Sequence, residues 1–301
     1  MKRSVLLLAH TGRAASVAAG RQVVTALLDA GVDVRMLASE ACELGVDGTT
    51  AYDAQTGVES ARAAELVLVL GGDGTILRAA ELARDAGVPL LGVNLGRVGF
   101  LAEAEPKDLD ATIVQVLDRD YLVEERMTLD VTVTIDGNVV ESGWALNEAS
   151  VEKADRGRML EVVLEIDGRP LSRWGCDGVV AATPTGSTAY AFSAGGPVVW
   201  PTVEALLVIP ISAHALFARP LVTAPGSTIA LEIQASGAQA LLACDGRRTC
   251  AVPHGARVEV RRGQTPVLLA RTHTRAFTDT LVDKFDLPVD GWRGRVGDGP
   301  A

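Results

Sequence analysis

Residues 65–70 read Glu-Leu-Val-Leu-Val-Leu, followed at once by Gly71, Gly72, Asp73, Gly74 and Thr75 and by a helical pattern over 75–86 that Gly87 closes. An apolar run that does not alternate is a strand covered on both faces, as in parallel sheets flanked by helices. With the glycine turn and the helix it makes one step of a βαβ unit. The step recurs on either side: a strand over 4–9, a helix over 14–30 stopping at Gly31, and strands over 32–37 and 90–93. Residues 40–62 have no strong period and predict a loop with a short helix. Right-handed crossovers would build an open, Rossmann-like parallel sheet with its ligand at the carboxyl ends of the strands.

Near Met127 the rhythm changes to alternating apolar and polar residues punctuated by Asp136-Gly137, Asp167-Gly168 and Asp245-Gly246. Period-two strands are expected over 131–135, 160–166, 228–233 and 258–262, and residues 144–151 look like one further strand. Residues 187–191 make at most a short helix, and 279–285 are helical again. The reading is an α/β protein: a parallel-sheet α/β domain over 1–126, an antiparallel β-rich domain over 127–274, and a segment over 275–301 that packs back on the first domain.

Composition removes several classes. A chain of 301 residues fits two domains, and 48% apolar with 22% charged residues excludes disorder. The charge of 28 minus 38, or -10, argues against nucleic acid as the main partner but allows a local cationic pocket. The opening apolar run stops at His10, Thr11, Gly12 and Arg13, too early for a secretion signal. The best candidate span, 205–218, is shorter than the roughly 18 apolar residues a bilayer needs and is broken by Pro210, Ser212 and His214. A cytoplasmic protein without a membrane partner is expected. Cys42, Cys176, Cys244 and Cys250 contain no C-x-x-C pair and predict reduced, buried thiols. His10, His214, His254 and His273 offer no metal-ligand spacing, so no metal-ligating side-chain set is assigned. His214 and the tryptophans Trp144, Trp174 and Trp200 are expected in packing roles.

The glycine loop carries the chemistry. Glycines let a backbone approach a ligand closely, and the helix behind them offers free N–H groups to a phosphate. Asp73 in such a cradle repels phosphate unless it binds a cation or receives a proton from an attacking hydroxyl; the alternative is that it only caps the helix. The loop lacks the Gly-Lys-Ser/Thr of a Walker A motif and the G-x-G-x-x-G of a dinucleotide fingerprint. Asn147 and Glu148 suit ribose hydroxyls or an adenine edge. Residues 183–197 are dense in Gly, Ser and Thr, with Tyr190 available for stacking.

Gly71 to Thr75 resembles the loop of a kinase superfamily that includes NAD kinases, 6-phosphofructokinases and lipid kinases. Gly92 to Leu101, Asn147-Glu148, Gly175 to Gly178, the Thr-Pro-Thr-Gly-Ser-Thr-Ala-Tyr of 183–190, Asp245 to Arg247, and the closing Lys284 to Pro288 with Gly291-Trp292 together resemble the NAD kinase family, over roughly residues 4–293. The resemblance implies phosphorylation of the adenosine-ribose 2′-hydroxyl of NAD by ATP, or by inorganic polyphosphate, with Mg2+. It implies Asp73 as general base, Gly74 and Arg78 by the NAD phosphates or ribose, and Asn94 and Phe100 lining the nucleotide cleft. Asn147 and Glu148 would hold ribose and adenine, and Asp177 with Thr185, Thr188, Ala189, Tyr190, Ala191, Phe192 and Ser193 would bind the dinucleotide. Arg158 and Ser212 are carried over from outside the sharp motifs. The family also implies a homodimer or homotetramer. The alternatives are a diacylglycerol-type lipid kinase, which would need a membrane-binding surface absent from this sequence, and a non-catalytic nucleotide sensor, which the presence of Asp73 disfavours.

Overall fold

Every residue of β1 (Ser4–Ala9) is buried, as its unbroken apolar run requires. The chain then forms α1 (Ala14–Asp29), β2 (Asp33–Leu37), α2 (Ala38–Leu44), β3 (Thr50–Tyr52), α3 (Gly57–Arg62), β4 (Leu66–Leu70), α4 (Asp73–Ala86), β5 (Leu90–Val93), α5 (Leu109–Asp118) and β6 (Leu122–Arg126). An antiparallel region follows: β7 (Leu129–Ile135), β8 (Asn138–Ala145), β9 (Glu148–Lys153), β10 (Leu160–Ile166), β11 (Arg169–Cys176), β12 (Gly178–Ala182), α6 (Tyr190–Ser193), β13 (Leu206–Ile211), β14 (Leu221–Thr223), β15 (Ile229–Ile233), β16 (Ala240–Cys244), β17 (Arg248–Val252) and β18 (Arg257–Arg262). The last elements are β19 (Val267–Arg271) and α7 (Phe277–Phe285). The computed structural model describes residues 2–95, 99–102, 108–155, 157–272 and 276–289; Gly96, Arg97, Val98, Gly291 and Trp292 of the sequence motifs lie outside these.

Two units emerge, Met1–Glu124 with Leu268–Ala301, and Glu125–Val267. The first is built on a sheet of order β3-β2-β1-β4-β5-β19-β6, parallel from β3 through β19. The strand order reverses between β1 and β4, the position at whose carboxyl ends such sheets bind ligands. Val23, Val24 and Leu27 of α1 and Ile113 and Val116 of α5 cover one face of it. The segment 40–62, expected as a loop with one short helix, instead holds most of α2, β3 and α3. Its three-residue strand pairs only at the sheet edge, and so short an element leaves no period to detect.

The second unit has two six-stranded antiparallel sheets, β11-β10-β15-β18-β7-β8 and β14-β13-β12-β9-β16-β17. Both β7 and β10 alternate buried and half-buried residues, and Val131, Val133, Val162 and Leu164 share one core with Val151, Val179 and Val208 of the other sheet. Asp136, Asp167 and Asp245 and the glycines after them all have positive φ, the first two pairs as two-residue hairpins demand and the third in a three-residue turn that closes with Cys244 opposite Arg248. The outer face of β12 and β13 packs Val180, Ala182, Leu207 and Ile209 against Ala191. The run 144–151 is not one strand. It leaves the first sheet at Ala145 and enters the second at Glu148, with Leu146 and Asn147 as the crossing.

Candidate functional site

In the first unit, Gly72 caps α4 and Asp73 is its first residue. The Asp73 carboxylate does not cap this helix: Oδ2 accepts the N–H of Phe100 and Oδ1 that of Leu101, both at 3.2 Å. A carboxylate has about four acceptor sites, so two amides orient the group and leave it able to accept a further proton donor. Gly99 makes the grip possible, because a Cβ there would fall 2.9 Å from Asp73 Cγ. At Gly72 and Gly74 a Cβ would meet nothing within 4 Å. Neither glycine is required by packing, and both are exposed. The N–H groups of Thr75 and Ile76 turn back to the Gly72 carbonyl. Those of Asp73 and Gly74 are the ones a helix start leaves without an intrahelical acceptor, next to the positive end of the dipole.

Arg78, one turn beyond Gly74 on the same face of α4, donates to Glu40 Oε1 at 2.5 Å. Asn94 is buried just past β5. The Phe100 ring packs against Phe277 and Phe285 of α7, with centroids 6.1 and 5.9 Å apart. This residue thus contributes its backbone to Asp73 while its half-buried ring packs on the returning helix.

In the second unit the peptides of Leu146 and Asn147 are held from both sides. Asp245 Oδ2 accepts the N–H of Leu146 at 3.0 Å and Oδ1 that of Asn147 at 2.7 Å. Thr183 donates its hydroxyl to the Leu146 carbonyl at 2.6 Å and its N–H to that of Asn147 at 2.9 Å. Gly186 lies so close that a Cβ would come within 2.7 Å of Asn147 Cα. Asp245, in turn, is paired with Arg248 at 2.6 Å, and this guanidinium lies 4.3 Å over Trp144. Asp245 is therefore a structural determinant of the Asn147-Glu148 pair, whereas the sequence marked it only as a turn within a motif. Arg248, which lies outside the sequence motifs, is part of this support. No local signal announces it, because residues 146 and 245 meet only through the pairing of β9 with β16.

Glu148 is 6% exposed. Burial, then the neighbouring Asp245 charge, pushes its carboxyl up to about 7, although the Tyr190 N–H donates to it at 3.3 Å. The Tyr190 hydroxyl donates to Glu152 at 3.2 Å. Asp177 pairs with Lys153 at 2.5 Å, and the Ser212 hydroxyl donates to the same carboxylate; the Lys153 hydrogen bond chiefly holds Asp177 below the usual range. Thr185 and Thr188 lie half-buried in the 3-10 turn, with the Thr188 hydroxyl donating to the Thr185 carbonyl at 3.3 Å. Ala189 is half-buried, and Phe192 and Ser193 are exposed. Ala191 is fully buried in the core, and its carbonyl accepts the Gly196 N–H at 2.8 Å, so it presents no surface to a ligand. Arg158 stands exposed in the connection between β9 and β10, outside these bonds.

Three packing expectations need correction. His214 is exposed, its N–H bonded to the Gly175 carbonyl; Trp200 is 46% exposed; and Cys42 is exposed, although Cys176 and Cys244 are buried with thiols pushed up to about 12 by burial. Trp174 is fully buried, as expected.

The profile of the ATP-NAD kinase N-terminal domain matches residues 5–121 and that of the ATP-NAD kinase C-terminal domain residues 146–272. The chain is 61% identical to an NAD kinase of Thermobifida fusca, over 98% of this chain and 93% of the relative. It is 56% identical to an NAD kinase of Mycolicibacterium paratuberculosis, over 97% and 98%. Among solved structures, yeast NADH kinase complexed with NADH superposes with a TM-score of 0.86 at 23% identity, over 99% of this chain and 90% of that one, a likeness of fold. An Archaeoglobus fulgidus NAD kinase in complex with ATP gives 0.71 at 25% identity, over 96% and 100%. Two domain profiles in the right order, together with near full-length identity above one half, establish that this chain belongs to the NAD kinase family.

Proposed function

We propose that this protein is an NAD kinase that transfers the γ-phosphoryl group of ATP to the adenosine-ribose 2′-hydroxyl of NAD, giving NADP. The observation that carries the reading is the Asp73 carboxylate, fixed by two backbone amides at the start of α4 beside two exposed glycines. Asp73 orients the ribose hydroxyl and accepts its proton late, as the loose transition state develops. Gly74 and Arg78 contact the dinucleotide phosphates or ribose. Asn147 and Glu148, whose backbone Asp245 and Thr183 immobilise, hold ribose and adenine. Tyr190 and Asp177 complete dinucleotide binding.

Among the described residues no group of three or more His, Cys, Asp or Glu forms a metal cage. Mg2+ needs no such cage, since it is commonly held by one or two carboxylates, water and substrate phosphates. It would arrive with ATP, with Asp73 as the acidic side chain of the loop, and neutralise charge on the transferred group. Inorganic polyphosphate is the alternative donor. A homo-oligomer is supported by Val139, Val140 and Leu171, exposed on the edge strands β8 and β11. A cytoplasmic location is in keeping with four free cysteines. Among the described residues no helix is long and apolar enough to cross a membrane.

The test is an assay of purified protein with NAD, Mg2+ and ATP or polyphosphate, reading NADP through an NADP-specific dehydrogenase. NADP should form and should fall by about 10²- to 10⁴-fold in Asp73→Asn, with NAD binding retained. Full turnover by Asp73→Asn would remove the general base from the reading. NAD binding without NADP from either donor would replace it with a sensor.

A further inference from the structure

We infer that Glu40 is a positioning residue, which fixes the guanidinium of Arg78 at the reversal point of the first sheet so that it meets the dinucleotide in one orientation. The inference rests on the reading above that Arg78 contacts NAD. Glu40 lies in the first turn of α2, and its side chain is 5% exposed. A carboxylate that deep needs partners, because an unpaired buried charge is costly. It has two. Oε2 accepts the N–H of Ala9, the last residue of β1, at 2.9 Å, and Oε1 accepts from Arg78 at 2.5 Å. One carboxylate thus ties the end of β1 to α4, whose preceding glycine loop leaves the neighbouring strand β4.

Arg78 is the half that reaches outward. Its side chain is 36% exposed, and it follows Gly74 by four residues, so the two share a helix face. One edge of its planar fork is committed to Glu40, while its Nε is buried without a partner. An arginine anchored in this way has given up its rotamer freedom before the ligand arrives, so less is lost on binding. Tyr52 is 8% exposed, and burial, then the Glu40 charge, raises its phenol to about 12, which keeps it neutral. Neither Glu40 nor Tyr52 belongs to a sequence motif.

The test compares Glu40→Gln, Arg78→Ala and the double variant by steady-state kinetics, with melting temperatures to confirm folding. Gln keeps an acceptor for Ala9 but places an amide against the guanidinium. Glu40→Gln should raise KM for NAD by up to about tenfold, the cost of ordering one long side chain, with kcat and KM for ATP within about twofold. In the Arg78→Ala background the same change should do nothing further to KM for NAD. An equal rise in that background would show that Glu40 acts through the fold and would overturn the inference, as would a wild-type KM in Glu40→Gln. If Arg78→Ala itself leaves KM for NAD unchanged, the assignment of Arg78 has failed, a result distinct from either. Should Glu40→Gln not fold, Arg78→Lys keeps the charge and loses the fork; its KM for NAD should rise, and a wild-type value would overturn the inference.

Discussion

Gly99→Ala is the sharpest perturbation available, because it changes one atom and leaves every polar group in place. The new Cβ would lie 2.9 Å from Asp73 Cγ and 3.1 Å from Oδ2, and closer still to Oδ1, where ordinary contact begins near 3.4 Å. The three atoms nearest the new Cβ all belong to the end of the Asp73 side chain, so the carboxylate is the part that yields. Relief requires a displacement of about 1 Å, and a misplacement of that size at a reacting group costs about 10²-fold in rate. The fold should survive, since the carboxylate is half-exposed and can swing outward. Steady-state kinetics should therefore show kcat reduced by about 10²-fold, with KM values for NAD and ATP within about threefold and a near-native circular dichroism spectrum. A Gly99→Ala enzyme with wild-type kcat would refute the claim that the amides of Phe100 and Leu101 hold Asp73 where it reacts.

Other perturbations test the second unit. Glu148, lifted from 4.5 to about 7 in the folded protein, binds its proton more tightly folded than unfolded, so stability is full below pH 4.5 and declines as pH rises to about 7. At 1.36 kcal/mol per unit the loss approaches about 3 kcal/mol; Glu148→Gln should flatten that decline in urea titrations between pH 4.5 and 8, and an unchanged slope would contradict it. Gly186→Ala drives a Cβ into the Asn147 peptide, which Thr183 and Asp245 prevent from moving, and should cost about 1–3 kcal/mol by denaturant unfolding. A neutral Gly186→Ala would mean that the crossing is loose. Asp245→Ala strips the acceptor from two buried amides, at about 1–3 kcal/mol each, and should raise KM for NAD; intact stability together with an unchanged KM would sink its structural role.

The legible parts of this molecule are those whose cause is local. The buried run before Gly71 could only be an interior strand, the three Asp-Gly pairs could only be tight hairpins, and Asp73 stood out because a carboxylate in a glycine cradle has few uses. Family resemblance added the residues of 183–193, though not which of them spends its side chain on the core, as Ala191 does. The strand break at Leu146 and Asn147 was hidden, because apolar content continues across it while the chain changes sheets.

What the sequence determined by itself was the succession of elements, the class of each sheet and the chemistry of the glycine loop, since hydrophobic period, turn residues and short motifs act over a few neighbouring positions. Only the tertiary structure decided what holds the residues of the proposed site. Asp73 is oriented by amides 27 and 28 residues away, Arg78 by a carboxylate 38 residues away, and Asn147 by one 98 residues away. A buried polar group must find a partner wherever the fold brings one, and that separation along the chain leaves no local pattern to read.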